Sequence, residues 1–268
     1  MPTRLERARA FRALHVRGRP LRLYPVWDGA SARVVAAAGA QAVATSGLPP
    51  DQTCGWRGDG IVSQAKVMAG LRRIVTSIDL PVSFDIEGTY GPRPEDFTDC
   101  FRRALAVGAV AVTIADSVLA TGVLYPVDMQ VRRIRALRAL ADASGIPLFL
   151  NARTDVFLFA TAEAHIGVQL AEALRRAAAY ADAGADGCSV PGPMRRSDIA
   201  RLCERSPLPV EIWLTKHSPP VAELAASGVA RVNYAALPSG ASLEAQRDGV
   251  QPAEPEVRAL LRTFHDRW

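Results

Sequence analysis

Two periods alternate along the chain. Short apolar runs at residues 21–27, 42–44, 81–84, 110–114, 148–150, 188–190, 210–214 and 229–232 have the length and composition of buried strands. Between them, residues 31–38, 64–78, 94–107, 128–144, 169–183, 197–204 and 220–227 carry apolar positions three or four apart with Arg, Asp or Glu between, the period of amphipathic helices. Gly39, Gly108, Gly145, Gly184 and Gly228 each follow such a segment, at the position where a helix stop favours glycine. Strand and helix alternating eight times over predict an α/β fold, a parallel eight-stranded (β/α)8 TIM barrel, in preference to an open doubly wound sheet. No GxGxxG turn follows an early strand, which further lowers the dinucleotide-binding alternative. The 268 residues fit one barrel domain, with 240–268 as a C-terminal extension that holds a helix candidate at 252–268.

Polar residues recur where the strand-like runs end: Asp28, Thr45 and Ser46, Asp85 and Glu87, Asp116, Arg153, Pro191, Lys216 and His217, and Asn233. In a parallel barrel these positions share the C-terminal face, where barrel enzymes do their chemistry. The pattern therefore reads as an enzyme before any motif is considered. Composition narrows the partners. The net charge is +5, but the arginines are dispersed over helical segments such as 131–138, as on solvated helix faces and not as in a nucleic-acid footprint. No apolar stretch approaches the ~20 residues that span a bilayer. The first twelve residues are charged and lack a secretory apolar core, so the reading is a cytoplasmic protein with neither nucleic acid nor membrane as partner. Cys54, Cys100, Cys188 and Cys203 show no CxxC spacing and read as reduced, packed thiols. His15 and His165 read as surface residues.

Three constellations carry chemistry. In residues 82–91, Asp85 and Glu87 stand two apart just past a strand, so alternation points both towards the barrel mouth, and hard oxygen donors of this kind suit Mg2+ or Mn2+. The competing reading is a capped turn with solvated acids. In Asn151-Ala152-Arg153-Thr154-Asp155 a guanidinium sits at a strand end, placed to hold a carboxylate through paired N–H donors or to form a structural ion pair with Asp155. Thr45-Ser46-Gly47-Leu48 offers backbone N–H groups to an anion.

Taken together with Trp27-Asp28-Gly29-Ala30-Ser31-Ala32-Arg33, Asp85-Ile86-Glu87-Gly88-Thr89-Tyr90-Gly91 and Ser189-Val190-Pro191-Gly192, these motifs resemble the successive strand-end motifs of the isocitrate lyase and phosphoenolpyruvate mutase superfamily, in order over about residues 10 to 240. The resemblance implies an eight-stranded barrel, a homo-oligomer built as a dimer of dimers with a C-terminal helix exchanged between neighbours, and Mg2+-assisted chemistry on small 2-oxo acids through a pyruvate-like enolate. It further implies that Asp85, Glu87 and Asp59 are the metal-binding carboxylates, with Glu87 acting through water. Arg153 would grip the substrate, Ser46, Gly47 and Leu48 would cradle its carboxylate, and Trp27 and Asp28 would line the pocket floor.

The sequence also departs from that pattern. A metal-shell Glu of the family is replaced by Ala115, which should weaken Mg2+ binding, and Thr89 stands where the family has glycine. The lid at 118–125 contains no Lys, Cys or His, which argues against cleavage assisted by a lid cysteine and against phosphonopyruvate chemistry. Proton carriers must then come from Tyr90, Asp116, Lys216 and His217. The reading that results is a lyase acting on a small 2-oxo or 2-hydroxy carboxylic acid, by oxaloacetate-like decarboxylation or retro-aldol cleavage. The alternatives are a repurposed biosynthetic member with weak or no metal dependence, or a non-catalytic paralogue that binds an anionic ligand. The apolar lid predicts that alkyl-substituted acids bind better than oxaloacetate.

Overall fold

The computed structural model describes residues 2–45, 64–86, 94–118, 121–160, 165–215 and 218–234. Eight parallel strands close into a barrel: β1 (Leu21–Val26), β2 (Val43–Thr45), β3 (Val82–Ile86), β4 (Ala111–Ala115), β7 (Phe149–Arg153), β8 (Gly187–Ser189), β9 (Val210–Leu214) and β10 (Arg231–Tyr234), which pairs back with β1. A two-stranded antiparallel hairpin, β5 (Ser117–Val118) with β6 (Val123–Leu124), lies outside the barrel sheet, in the span read from sequence as the lid. Helices α2 (Gly29–Ala37), α3 (Gln64–Ser77), α4 (Pro94–Val107), α5 (Val127–Ala143), α6 (Ile166–Asp182), α7 (Arg196–Arg205) and α8 (Val221–Ala226) alternate with the strands. The eight-stranded barrel expected from the two periods is therefore the observed architecture.

Alternation along the strands splits their side chains into two sets. Val82, Phe84 and Ile86 of β3, Val112 and Ile114 of β4, and Val210, Ile212 and Leu214 of β9 pack in the main apolar core with helix residues such as Leu71, Phe101 and Leu137. This outward set explains why the strands read as almost continuous apolar runs. The intervening positions face the lumen. At the N-terminal end these are Leu21, Leu23, Ala111 and Phe149, joined by Ala42 in a second, separate apolar cluster. Further along they are polar, Ser83, Asp85, Thr113, Asn151, Arg153, Ser189, Glu211 and Asn233, while Arg231, which begins β10 in register with Leu21, brings a charge over the Phe11 ring at the lower end.

An additional helix, α1 (Arg4–Ala13), was not anticipated from the apolar period because only Ala8 and Phe11 of it are buried. It starts on a capping box, Thr3 Oγ1 accepting from the Glu6 N–H at 3.2 Å and the Glu6 carboxylate accepting from the Thr3 N–H at 2.7 Å. Phe11 enters the lower cluster and closes the barrel bottom. Below it lies His15, stacked on Phe149 at 3.9 Å between centroids, so His15 is a packed ring and not the surface residue expected.

The glycine stops hold: Gly39, Gly108, Gly145, Gly184 and Gly228 all have positive φ. At Gly108 (φ +117°) a Cβ would also come within 2.9 Å of Val75 Cγ1 on α3, so this turn admits glycine on two counts. The extension at 240–268, with its helix candidate, lies outside the described residues. Among the described residues no helix is long and apolar enough to cross a membrane.

Candidate active site

The lumen-facing end of β7 supplies the central group. Arg153 is 6% exposed, and its Nε donates to Asp155 Oδ1 at 2.6 Å. Its guanidinium lies over the ring of Trp213 on β9, 4.3 Å from the centroid. Asp155, fully buried, also accepts from the hydroxyl of Ser117 at the base of the hairpin, so one carboxylate joins the arginine to the start of the lid. With Nε engaged and one face covered, the terminal nitrogens make no hydrogen bond among the described residues, and they form the side from which a guanidinium holds a carboxylate in bidentate fashion. The ion pair with Asp155 that was one of the two readings from sequence thus occupies one edge of the group, and an anion grip would use the other.

Asp85 lies across the lumen at the end of β3, its backbone N–H donating to Thr45 Oγ1 at 3.1 Å. Its Oδ1 is buried and accepts no hydrogen bond among the described residues. Burial, reinforced by the negative charge of Glu211, pushes its carboxyl up to about 7, against the opposing pull of Arg231, Thr113 and Arg153. A buried carboxylate oxygen without a donor is what a cation or a proton would satisfy. Asp59 and Glu87, the other expected metal carboxylates, lie outside the described residues. Among the described residues no three His, Cys, Asp or Glu groups converge, and Ala115 occupies the lumen-facing end of β4, in register with Arg153. Among the described residues the fit to a divalent ion therefore rests on the Asp85 oxygen, and Ala115 on the neighbouring strand offers no side-chain donor.

Beneath these two groups runs a buried charged layer. Arg231 Nε is 3.1 Å from Glu211 Oε1, and Glu211 Oε2 accepts from Asn151 Nδ2 at 2.5 Å. Asn151 also reaches Thr113 Oγ1 at 3.4 Å. None of these residues was selected from sequence as a site residue. The available signal was the alternation in Val210-Glu211-Ile212-Trp213-Leu214 and Arg231-Val232-Asn233-Tyr234, where charged or large amphipathic residues occupy every second position of strands otherwise packed against helices.

Asp116 requires a correction. Its carboxylate is fully buried, Oδ1 accepting from the Asp155 N–H at 2.9 Å and Oδ2 from Tyr180 Oη at 2.7 Å and Arg176 Nη1 at 3.0 Å. Two of these donors lie on α6 and the third just past β7, so Asp116 is held as an anchor for the hairpin base and for Arg153's partner, a structural role in place of the proton transfer expected. Its backbone carbonyl accepts from the Tyr125 N–H at 2.7 Å, tying the far end of the hairpin to the same point. Asp28 is the N-cap of α2, accepting from the N–H of Ser31 at 2.7 Å and its hydroxyl at 2.8 Å, while the Trp27 N–H donates to Ser31 Oγ at 3.2 Å. Both flank the C-terminal end of β1. Cys188 faces the helix layer, and burial raises its thiol well above the usual range, which removes it as a nucleophile. Ser46, Gly47, Leu48, Tyr90, Lys216 and His217 lie outside the described residues.

A closed barrel with a buried guanidinium and a carboxylate keeping one unpartnered oxygen at its C-terminal mouth has the build of a barrel enzyme. The protein belongs to the phosphoenolpyruvate phosphomutase family, whose model matches residues 11–252, and so to the PEP mutase/isocitrate lyase superfamily of mutases and lyases. It is 32% identical to the phosphoenolpyruvate phosphomutase of Streptomyces hygroscopicus over 94% of this chain and 84% of that one. It is 27% identical to the 2-methylisocitrate lyase of Bacillus subtilis over 70% of this chain and 61% of that one. Among solved structures, a provisionally assigned phosphonomutase from Burkholderia cenocepacia J2315 superposes with a TM-score of 0.83 at 41% identity, covering 92% of this chain and 98% of that one.

Proposed function

We propose that this protein is a Mg2+-assisted carbon–carbon lyase acting on a small 2-oxo or 2-hydroxy carboxylic acid. The observation that carries the reading is Arg153, buried, oriented by Asp155 and Trp213, with its terminal nitrogens left for a carboxylate. Arg153 binds and orients the acid, and the backbone of Ser46, Gly47 and Leu48 completes the cradle. Asp85, with Glu87 and Asp59, would hold the metal, which when bound supplies Lewis-acid stabilisation of the enolate oxygen. Asp155 fixes the guanidinium so that little reorganisation is needed as charge develops. Tyr90, Lys216 and His217 are the proton carriers left once Asp116 is assigned to the hairpin. The apolar hairpin, with Val123 61% exposed, favours alkyl-substituted acids over oxaloacetate. The protein is read as a cytoplasmic homo-oligomer, a dimer of dimers.

A second reading follows from Ala115: a site that keeps the anion grip but works with little or no metal. Calorimetric titration with oxalate, a mimic of the pyruvate enolate, separates the two. Binding that requires Mg2+ is the expected result. Binding that is indifferent to Mg2+ supports the second reading, and no binding would overturn both.

A further inference from the structure

On β9, Glu211 and Trp213 face the lumen while Val210, Ile212 and Leu214 pack outward, so the indole is carried into the mouth by the strand itself. It meets the guanidinium of Arg153 face-on at 4.3 Å, a cation–π contact that restricts the plane in which the guanidinium lies. Its Nε1–H is buried and donates to no acceptor among the described residues. Indole N–H is a donor only, and buried ones usually find a partner, because leaving one unmade forfeits its hydration without return. The Arg153 guanidinium is itself a donor, and of the Glu211 carboxylate two residues earlier Oε2 accepts from Asn151 while Oε1 is ion-paired with Arg231. Neither Asp85 Oδ1 nor Glu211 Oε1, the buried carboxylate oxygens left without a hydrogen-bond donor among the described residues, hydrogen-bonds to this N–H, and the ring that carries it is stacked on Arg153, so an anion held by that guanidinium is a candidate acceptor.

We propose that Trp213 is a substrate-binding residue: its ring sets the plane of Arg153, and its indole N–H is a further donor to the carboxylate that Arg153 grips. The inference rests on the reading of Arg153 as an anion grip, and it adds a specificity element. A donor beside the guanidinium rewards ligands with two anionic oxygens within reach of one another and disfavours apolar or cationic groups at that position.

Trp213→Phe separates this role from packing, since it keeps an aromatic face for Arg153 and removes only the donor. If Nε1–H awaits a ligand oxygen, the ligand-free variant should melt at the parent temperature or slightly above it, because a buried unpartnered donor has been deleted. The same variant should bind oxalate about ten-fold more weakly, the loss typical of one hydrogen bond to a charged group. Trp213→Leu, which also removes the stacking face, should weaken oxalate further. Oxalate affinity unchanged in Trp213→Phe would overturn the proposal, as would a loss of affinity matched by a lowered melting temperature, which would mark Trp213 as a packing residue. A parent protein that binds no oxalate would overturn it as well. If oxalate binds without Mg2+ and Trp213→Phe still weakens it, the lyase reading falls and this assignment stands; metal-dependent turnover with unaltered affinity in the variant gives the reverse.

Discussion

The two ends of the barrel are built on opposite principles. At the bottom, Phe11 from α1 meets Phe149 edge-on at 5.6 Å and 79°, with Leu21, Ala42 and Val110 around it, and His15 stacks beneath. Close approach there is achieved by pairing large with small: a Cβ on Gly187 would sit 2.8 Å from the Phe149 ring. At the mouth, Asp85, Arg153, Ser189, Trp213 and Asn233 line the same lumen, and several of their polar atoms are buried without partners. Apolar burial at one end supplies stability, and the other end holds charged groups in low dielectric at a cost in stability. The contrast teaches where each kind of substitution should be felt.

The largest separation should come from Phe11→Ala set against Arg153→Ala. Truncating Phe11 opens a cavity in the lower cluster and should cost about 3–5 kcal/mol of folding stability, read by denaturant unfolding, while oxalate affinity in the folded fraction stays at the parent value. Arg153→Ala should abolish oxalate binding. It should also lower stability, because Asp155 then keeps a buried charge with its arginine partner gone. Equal losses of oxalate affinity in the two variants would show that the ends are not independent.

A smaller effect, opposite in sign at the two ends, should appear with pH. Asp85 in the folded protein is held near 7 against an ordinary 3.8, mainly by burial, so the unfolded chain gives up its proton first and stability falls as pH rises between those values. His15 is pushed down from 6.5 to about 3, first by burial and then by Arg231, so it stays neutral when folded and stability falls as pH drops through that window. Asp85→Asn should flatten the first limb and His15→Phe the second, each by an amount of the order of a few kcal/mol at most, read from melting temperatures across pH. Both limbs unchanged would contradict the burial of these two groups.

Much of the barrel was legible because its signals are local. Eight short apolar runs, helical periods between them and glycines at five helix stops follow from packing geometry that any sequence of this fold must satisfy. Helix α1 was not legible, since two buried residues make no period and its start depends on the Thr3–Glu6 box. Asp85 and Arg153 stood out in the sequence because each lies at or next to a strand end within a distinctive motif. Trp213 and the Glu211–Arg231 pair were passed over because their meaning depends on which face of the strand looks inward, a property set by the whole closed sheet. Asp116 was misread for the same reason: one residue past β4, its side chain turns away from the lumen to Tyr180 and Arg176. Distance along the sequence from a strand end does not report that turn.

The central claim is tested most directly by following oxaloacetate and alkyl-substituted 2-oxo and 2-hydroxy acids by NMR, with Mg2+ present and with it chelated, in the parent and in Arg153→Ala. The account predicts metal-dependent carbon–carbon cleavage of at least one alkyl-substituted acid, faster than that of oxaloacetate, and none by Arg153→Ala. Cleavage at the same rate by Arg153→Ala, or in the absence of the metal, would contradict it.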